Sequence, residues 1–230
     1  MPTSKNFKVA TALFITVSLL DILGIVLDKY YLRLFFKPLI LPTLLLLYTL
    51  TSHQKNKWYV GALIFSFLGD VFLLFNGKPY FMLGLSAFLL AHLCFIIVVL
   101  QKIGKADRNK TLLSFIIFFA FLSGLLFVLK GHLGEMQIPV IVYGIIITSF
   151  GALSLANYLQ NKTKAALVLL IGALVFISSD SMLALNKFYA PKELLNLLIM
   201  LTYIIAQYLI FRALVSGGKW DVNFPKKRTV

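Results

Sequence analysis

The sequence predicts an all-α membrane protein, a bundle of eight transmembrane helices. The chain of 230 residues is 60% hydrophobic and only 13% charged, with a mean hydropathy of +0.92. Polar clusters divide it into eight apolar runs, and most approach the roughly 20 residues that a helix needs to cross a bilayer. No polar segment between the runs is long enough to form a soluble domain. We therefore treat residues 1–230 as one integral membrane domain whose chemistry lies among the helices.

The polar breaks between the runs predict where the helices begin and end. The first run has no small-residue cleavage site and further spans follow it, so we expect a helix there and not a signal peptide. Residues 28–33 separate the first two runs, which places Pro38 and Pro42 in the first turns of the second helix, where proline is tolerated. The predicted helices lie near 8–27, 36–51, 58–75, 80–100, 110–129, 137–159, 164–186 and 193–214.

The basic residues predict the orientation of the chain in the membrane. The net charge of +14 does not indicate nucleic-acid binding, because the basic residues lie in short loops and at the C-terminus. With eight spans, the side that holds both termini and the even-numbered loops carries 15 of the 22 Lys and Arg residues. The positive-inside rule then puts both termini in the cytoplasm. We expect an integral protein of the bacterial cytoplasmic membrane, surrounded by membrane lipids.

Two apolar runs each contain a single aspartate, Asp70 in residues 61–75 and Asp180 in residues 172–185. An ionisable group at the bilayer centre costs about 2.5–3.5 kcal/mol on insertion scales, and such residues usually mark functional sites inside a bundle. Both stretches begin Gly-Ala-Leu-x-Phe and carry an asparagine six residues after the aspartate. This similarity predicts two tandem four-helix units, with both carboxylates in the non-cytoplasmic half of the membrane.

Other polar side chains on these helices are candidates for the same site. Ser66 lies one turn before Asp70 and shares its helix face. Lys37 opens the second helix on the side of the two aspartates, where it could hold a phosphate, balance a carboxylate or extend to the membrane interface. Three further polar side chains lie on otherwise apolar helices: Tyr143, Tyr203 and Gln207.

His92 lies near the middle of the fourth predicted helix. It could relay a proton, donate a hydrogen bond to a carboxylate, bind a metal or serve only as a structural hydrogen-bonding group. Catalytic zinc usually needs three protein ligands, and His92 is the only histidine at this depth. We therefore predict no metal site.

Five motifs resemble those of the YhhN-type lysoplasmalogenase family of membrane proteins, and they run from the second predicted helix to the eighth. The motifs are Lys37-Pro-Leu, Phe65-Ser-x-x-Gly-Asp70, Gly84-Leu-Ser-Ala-Phe-Leu-Leu-Ala-His92, Gly172-Ala-x-x-Phe-x-x-Ser-Asp180-Ser and Tyr203-x-x-Ala-Gln207. The resemblance implies an eight-helix bundle that hydrolyses the vinyl ether bond of lysoplasmalogens to a fatty aldehyde and glycerophosphoethanolamine or glycerophosphocholine. It implies that no cofactor is required.

We predict on this basis that Asp70 and Asp180 are catalytic. The predicted substrate-binding residues are Lys37, Ser66, His92, Tyr143, Asn186, Tyr203 and Gln207. Hydrolysis of an enol ether needs a protonated acid and a nearby negative charge. Asp70 has mainly apolar neighbours in the sequence, which predicts the general acid, whereas three serines next to Asp180 predict the ionised partner.

Two other functions are compatible with the same residues. Paired intramembrane carboxylates also carry protons in transporters, so the chain could be a proton-coupled transporter of small molecules or lipids. A metal-dependent lipid hydrolase that uses His92 is the third alternative.

Overall fold

The computed structural model describes residues 4–52, 54–104 and 107–216, and over these ranges it contains helices and turns with no β-strand. The predicted all-α class is confirmed. The described residues form eight α-helices and one short 3-10 helix at Gly134–Met136. The α-helices are α1 (Ser4–Val26), α2 (Tyr30–Thr51), α3 (Lys57–Phe72), α4 (Lys78–Ile103), α5 (Arg108–Leu129), α6 (Gln137–Asn161), α7 (Lys164–Phe188) and α8 (Glu193–Ser216).

Seven of these helices are long and apolar enough to cross a membrane, which makes the chain an integral membrane protein. The prediction of eight spanning helices is wrong at α3. This helix has 16 residues and a length of about 24 Å, short of the roughly 30 Å of a hydrocarbon core. It ends at Phe72 and not near residue 75, because the chain turns at Leu73 and Leu74.

The start of α2 also differs from the sequence prediction. Asp28 takes a left-handed backbone conformation with φ of 49° and Lys29 is extended, so a short turn is enough to separate the two helices. Helix α2 therefore begins at Tyr30 and not near residue 36. Pro38 and Pro42 lie inside the helix, where each removes a backbone hydrogen bond.

Six helices form a closed ring in the order α2, α3, α4, α6, α7 and α8, because each packs on the next and α8 packs back on α2. Helix α1 packs outside this ring on α2 and α8, and α5 packs outside it on α6 and α7. Two tandem four-helix units would match α1 on α8 with α5 on α4, whereas α5 packs on α7, so the ring is compatible with such units but the two outer helices are not equivalent. The repeat itself stays a prediction, and the C-terminal tail used to predict the orientation lies outside the described residues.

Small residues let the ring helices approach closely. A Cβ atom added to Gly69 would come 2.5 Å from Cε2 of Phe88, and one added to Gly84 would come 2.8 Å from Cδ2 of Leu73. Glycine is common at such contacts in membrane proteins because it brings the backbones together. The contact sets Asp70 level with Phe88, about 15 Å along α4 from its start.

Candidate active site

Each of the six ring helices contributes at least one polar or ionisable side chain to a connected cluster in the ring. These side chains are Lys37 on α2, Asp70 on α3, His92 on α4, Tyr143 on α6, Asp180 on α7 and Tyr203 on α8. Tyr143 lies about 9 Å and Tyr203 about 15 Å from the start of its helix, which places both at a similar depth. The cluster therefore lies in the half of the bundle near the α1–α2, α3–α4, α5–α6 and α7–α8 loops.

Asp70 lies in a closed polar pocket formed by three ring helices. Asp70 is 2% exposed, and its Oδ2 accepts a hydrogen bond of 2.7 Å from the hydroxyl of Tyr203. The ammonium nitrogen of Lys37 lies 3.7 Å from Oδ1 of Asp70, and Lys37 is itself 7% exposed. Of the three roles that the sequence allows for Lys37, this geometry is that of a residue that balances a carboxylate.

Ser66 and Gln207 extend the hydrogen-bonded network on this side. Nε2 of Gln207 lies 3.3 Å from Oγ of Ser66 and 3.5 Å from the hydroxyl of Tyr203. Both residues are fully buried. Oε1 of Gln207 has no hydrogen-bond partner among the described residues, so it remains available as an acceptor.

Asp180 has a less polar environment. Its Oδ2 accepts a hydrogen bond from the hydroxyl of Tyr143, and its side chain is partly exposed. The three neighbouring serine hydroxyls do not solvate it. Ser178 and Ser181 donate to the backbone carbonyls of Leu174 and Ile177 on the same helix, and Ser179 donates to that of Ile199 on α8.

This arrangement overturns the reasoning that made Asp180 the ionised partner. Serine and threonine hydroxyls in helices commonly bond to the carbonyl one turn earlier, and a hydroxyl has only one proton to donate. Asp70, predicted to lack polar neighbours, instead lies beside a lysine from α2 and a tyrosine from α8. The environments of the two carboxylates are thus the reverse of those expected from their sequence neighbours.

An aromatic cluster links the two aspartate environments through His92. The His92 ring meets the rings of Tyr143 and Phe176 edge to face, with centroids 5.6 and 4.7 Å apart. Phe176 in turn meets Tyr203 at 5.5 Å. Nδ1 of His92 lies 2.8 Å from the carbonyl oxygen of Phe88 and donates to it, which leaves Nε2 as a buried acceptor without a partner among the described residues.

Two apolar cavities of about 40 Å³ each meet at Asp180 and Tyr143. The first, the inner cavity, lies within the ring and is lined by residues such as Phe88 and Phe188. The second, the outer cavity, lies between α5, α6 and α7, and its wall includes Leu125. Asp180 therefore faces apolar space on two sides, whereas Asp70 does not line either cavity.

Asn186 lies apart from this cluster. Its amide nitrogen donates to Asn196 and its oxygen accepts from the backbone amide of Lys192. These bonds stabilise the α7–α8 connection, and Asn186 is about 9 Å along α7 from Asp180. The structure brings the other eight predicted site residues together and gives Asn186 a structural contact.

The sequence interpretation passed over one carboxylate. Asp21 lies in the first apolar run, is 0% exposed, and interacts electrostatically with Lys37 and Arg33 of α2. The sequence feature that identifies Asp70 and Asp180, a single acidic residue within an apolar run, also identifies Asp21. Within the described ranges, no group of three His, Cys, Asp or Glu side chains lies close enough together to hold a metal ion.

This fold and site define a class of helical membrane protein in which two aspartates inside the bundle are each bound by a tyrosine. The chain belongs to the YhhN family, whose model matches residues 32–214. It is 33% identical over 174 residues to proteins named lysoplasmalogenase from Mycobacterium bovis and Mycobacterium tuberculosis, covering 74% of this chain and 65% of each relative. It is 34% identical over 178 residues to lysoplasmalogenase TMEM86A from Bos taurus, covering 74% and 70%.

The predicted family is therefore confirmed. The chain spans just under two thirds of the length of the mycobacterial relatives that it matches. No solved structure matches the chain.

Proposed function

We propose that this protein is a lysoplasmalogenase, which hydrolyses the vinyl ether bond of a lysoplasmalogen. The products are a fatty aldehyde and glycerophosphoethanolamine or glycerophosphocholine. The names of the relatives support this activity. The observation that carries the proposal is the pair of tyrosine-bound aspartates at similar depth in one ring, one of them beside a lysine and the other beside apolar cavities.

The chemistry of the substrate fits two carboxyl groups in different environments. A carboxylic acid transfers its proton to the β-carbon of the vinyl ether, and the double-bond electrons leave an oxocarbenium ion at the carbon attached to oxygen. Water adds to that carbon and gives up a proton to a base, forming a hemiacetal. Collapse of the hemiacetal moves one proton to the glycerol oxygen, breaks the carbon–oxygen bond and releases the aldehyde.

We assign the general acid to Asp180 and the anion to Asp70, the reverse of the assignment predicted from sequence neighbours. An acid that protonates carbon must contact the alkenyl group, and Asp180 lines both apolar cavities. A nearby cation favours the charged form of a carboxylate, and Lys37 lies beside Asp70. In this mechanism Asp70 stabilises the oxocarbenium ion and accepts the proton of the attacking water.

The remaining site residues orient the reacting groups. The tyrosine hydroxyls of Tyr143 and Tyr203 hold the two carboxyl groups in place. His92 and Gln207 each have a buried acceptor without a partner among the described residues, and these acceptors bind water or the glycerol hydroxyl of the substrate. Ser66 positions Gln207 through its hydrogen bond. The alkenyl chain extends from Asp180 along the apolar walls of the two cavities, which widen to admit it because about 40 Å³ each is less than the volume of a long chain.

We propose that the site opens toward the non-cytoplasmic leaflet of a bacterial cytoplasmic membrane, with both termini in the cytoplasm. This orientation requires that the short helix α3 also crosses, which a bilayer allows by thinning locally, and the uneven distribution of Lys and Arg over the loops then supports it. A cysteine at Asn76, in the α3–α4 loop, is then labelled by an impermeant thiol reagent from outside the cell, and a cysteine at Gln54, in the α2–α3 loop, is not. Labelling of Gln54→Cys alone would reverse the orientation.

The decisive experiment is incubation of the purified protein with a 1-alkenyl lysophospholipid, followed by measurement of the aldehyde. The matched control substrate is the 1-alkyl lysophospholipid, which has an ether bond but no double bond to protonate and releases no aldehyde. EDTA leaves the rate unchanged if no metal takes part, as the sequence predicts. Proton flux in liposomes without aldehyde release would instead identify a proton-coupled transporter.

A further inference from the structure

An unpartnered carboxylate lies directly behind the candidate site, on a helix outside the ring. Neither oxygen of Asp21 has a hydrogen-bond partner among the described residues, and the side chain is fully buried. Ser18, one turn earlier on the same face of α1, is likewise buried without a partner in this part of the chain. Burying a charge without a partner is costly, so nearby opposite charges must stabilise an ionised Asp21.

Those opposite charges lie on α2. Lys37 and Arg33 are close enough to act on the charge of Asp21 through space, as is Asp70 on α3, but among the described residues Asp21 forms no ion pair with either cation. Helix α8, the other helix packed on α1, contributes an aromatic contact there, the stacked rings of Phe14 and Tyr208. Asp21 thus faces Lys37 and Arg33, and Asp70 faces Lys37.

A glycine brings the two helices close enough for this interaction. A Cβ atom added to Gly24, three residues after Asp21, would come 3.0 Å from Cγ of Arg33 and 3.2 Å from its backbone nitrogen. Residues three apart share a helix face. The face of α1 that carries Asp21 is therefore the one that packs against the charged face of α2.

The ammonium group of Lys37 lies close to Asp70 but forms no hydrogen bond with it. Its ammonium nitrogen lies 3.7 Å from Oδ1 of Asp70, whereas a charge-assisted hydrogen bond is about 2.7–2.9 Å long. Asp21 attracts the same ammonium from the side of α1. The charges alternate from Asp21 through Lys37 to Asp70, from outside the ring to its interior.

We propose that Asp21 is a positioning residue that shares the ammonium group of Lys37 with Asp70 and thereby sets the charge of the candidate site. This role rests on the proposed function, and it lies beyond the matched family region, since Asp21 precedes residue 32. Asp21 touches no substrate in this role. It limits how strongly Lys37 holds Asp70 in its ionised form.

The pH dependence of aldehyde release tests the proposal. In Asp21→Asn, Lys37 stabilises the Asp70 carboxylate alone, so Asp70 remains ionised to a lower pH and the acidic limb of the profile moves down by about one pH unit. Asp21→Glu keeps the charge and restores the wild-type profile. Ser18→Ala, the matched control on the same face, also leaves the profile unchanged. An Asp21→Asn profile that superimposes on the wild type would overturn the proposal.

A second measurement does not depend on activity. In detergent, Lys37→Gln leaves two buried carboxylates, Asp70 without its cation and Asp21 with Arg33 alone, and lowers the melting temperature. Adding Asp21→Asn to this variant removes one of them, so the double variant melts at a higher temperature than Lys37→Gln alone, whereas adding Ser18→Ala gives no recovery. Absence of recovery in the double variant contradicts charge sharing. If the wild-type protein releases no aldehyde but the double variant still recovers its melting temperature, the proposed function is wrong and the charge sharing at Lys37 is still supported.

Discussion

In one half of the ring, Asp70 accepts a hydrogen bond from Tyr203 and lies beside the ammonium group of Lys37. In the other half, Asp180 accepts a hydrogen bond from Tyr143 and faces apolar cavities. The two aspartates follow similar sequence motifs on α3 and α7, and each is bound by one tyrosine. The difference between them comes from the other helices of the bundle.

The two helices outside the ring account for much of this difference. Helix α1 brings Asp21 against the cations of α2, behind Asp70. Helix α5 brings apolar side chains such as Leu125 against α6 and α7, behind Asp180. Similar motifs on α3 and α7 therefore place their carboxylates in different surroundings, and a nearby cation favours the charged form of only one of them.

Removing either carboxyl charge has the largest expected effect. Asp70→Asn and Asp180→Asn each lower the rate of aldehyde release by about 10²–10⁴-fold, since each replacement removes one partner of acid–base catalysis. Asp28→Asn is the matched control, because Asp28 is exposed in the α1–α2 turn and asparagine tolerates its left-handed backbone. Rates near wild type for both Asn variants of the ring aspartates would remove them from the mechanism.

Removing the tyrosine hydroxyls distinguishes the two halves. Tyr143→Phe deletes the one side-chain hydrogen bond found for Asp180 within the described residues and lowers the rate about 10–100-fold, as expected for a hydrogen bond to an ionisable group. Tyr203→Phe has a smaller effect, because Lys37 still holds Asp70. A larger loss in Tyr203→Phe would show that Asp70 depends more on its tyrosine than on its lysine.

Lengthening each aspartate by one methylene tests the division of roles. In Asp180→Glu the alkaline limb of the pH–rate profile moves, because the acid must be protonated to donate. In Asp70→Glu the acidic limb moves, because the anion must be ionised to act. Each shift is about one pH unit or less. The opposite pattern would return the roles to those predicted from the sequence neighbours.

Filling the outer cavity has the smallest effect and tests where the chain lies. Leu125→Trp occupies space between α5, α6 and α7 and raises KM about tenfold for a long-chain lysoplasmalogen, a loss typical of apolar pockets. A short-chain substrate is unaffected. Leu112→Trp, at an exposed position on the same helix, changes KM for neither the long-chain nor the short-chain substrate. An unchanged KM for both substrates would place the chain in the inner cavity alone.

Much of the site could be predicted from the sequence because it consists of polar residues in apolar runs. That rule identified Asp70, Asp180 and Lys37, and it would also have identified Asp21. Asn186 was included because of its spacing from Asp180, and spacing along a helix does not reveal a partner such as Asn196 in the next helix. The expected surroundings of Asp180 were wrong for the same reason, since the serines near it bond to backbone carbonyls.

Local sequence properties determine that this chain forms apolar helices in a membrane, because hydropathy and helix-breaking residues act over one or two turns. The end of α3 at Phe72 and the start of α2 at Tyr30 depend on turn geometry, which the polar clusters locate only to within several residues. Packing between helices far apart in the sequence decides the surroundings of the three carboxylates. It places one beside Lys37, one beside the apolar cavities and one outside the ring. Electrostatic interactions depend on distance in space, and the ring brings α2, α3 and α8 together across more than a hundred residues of chain.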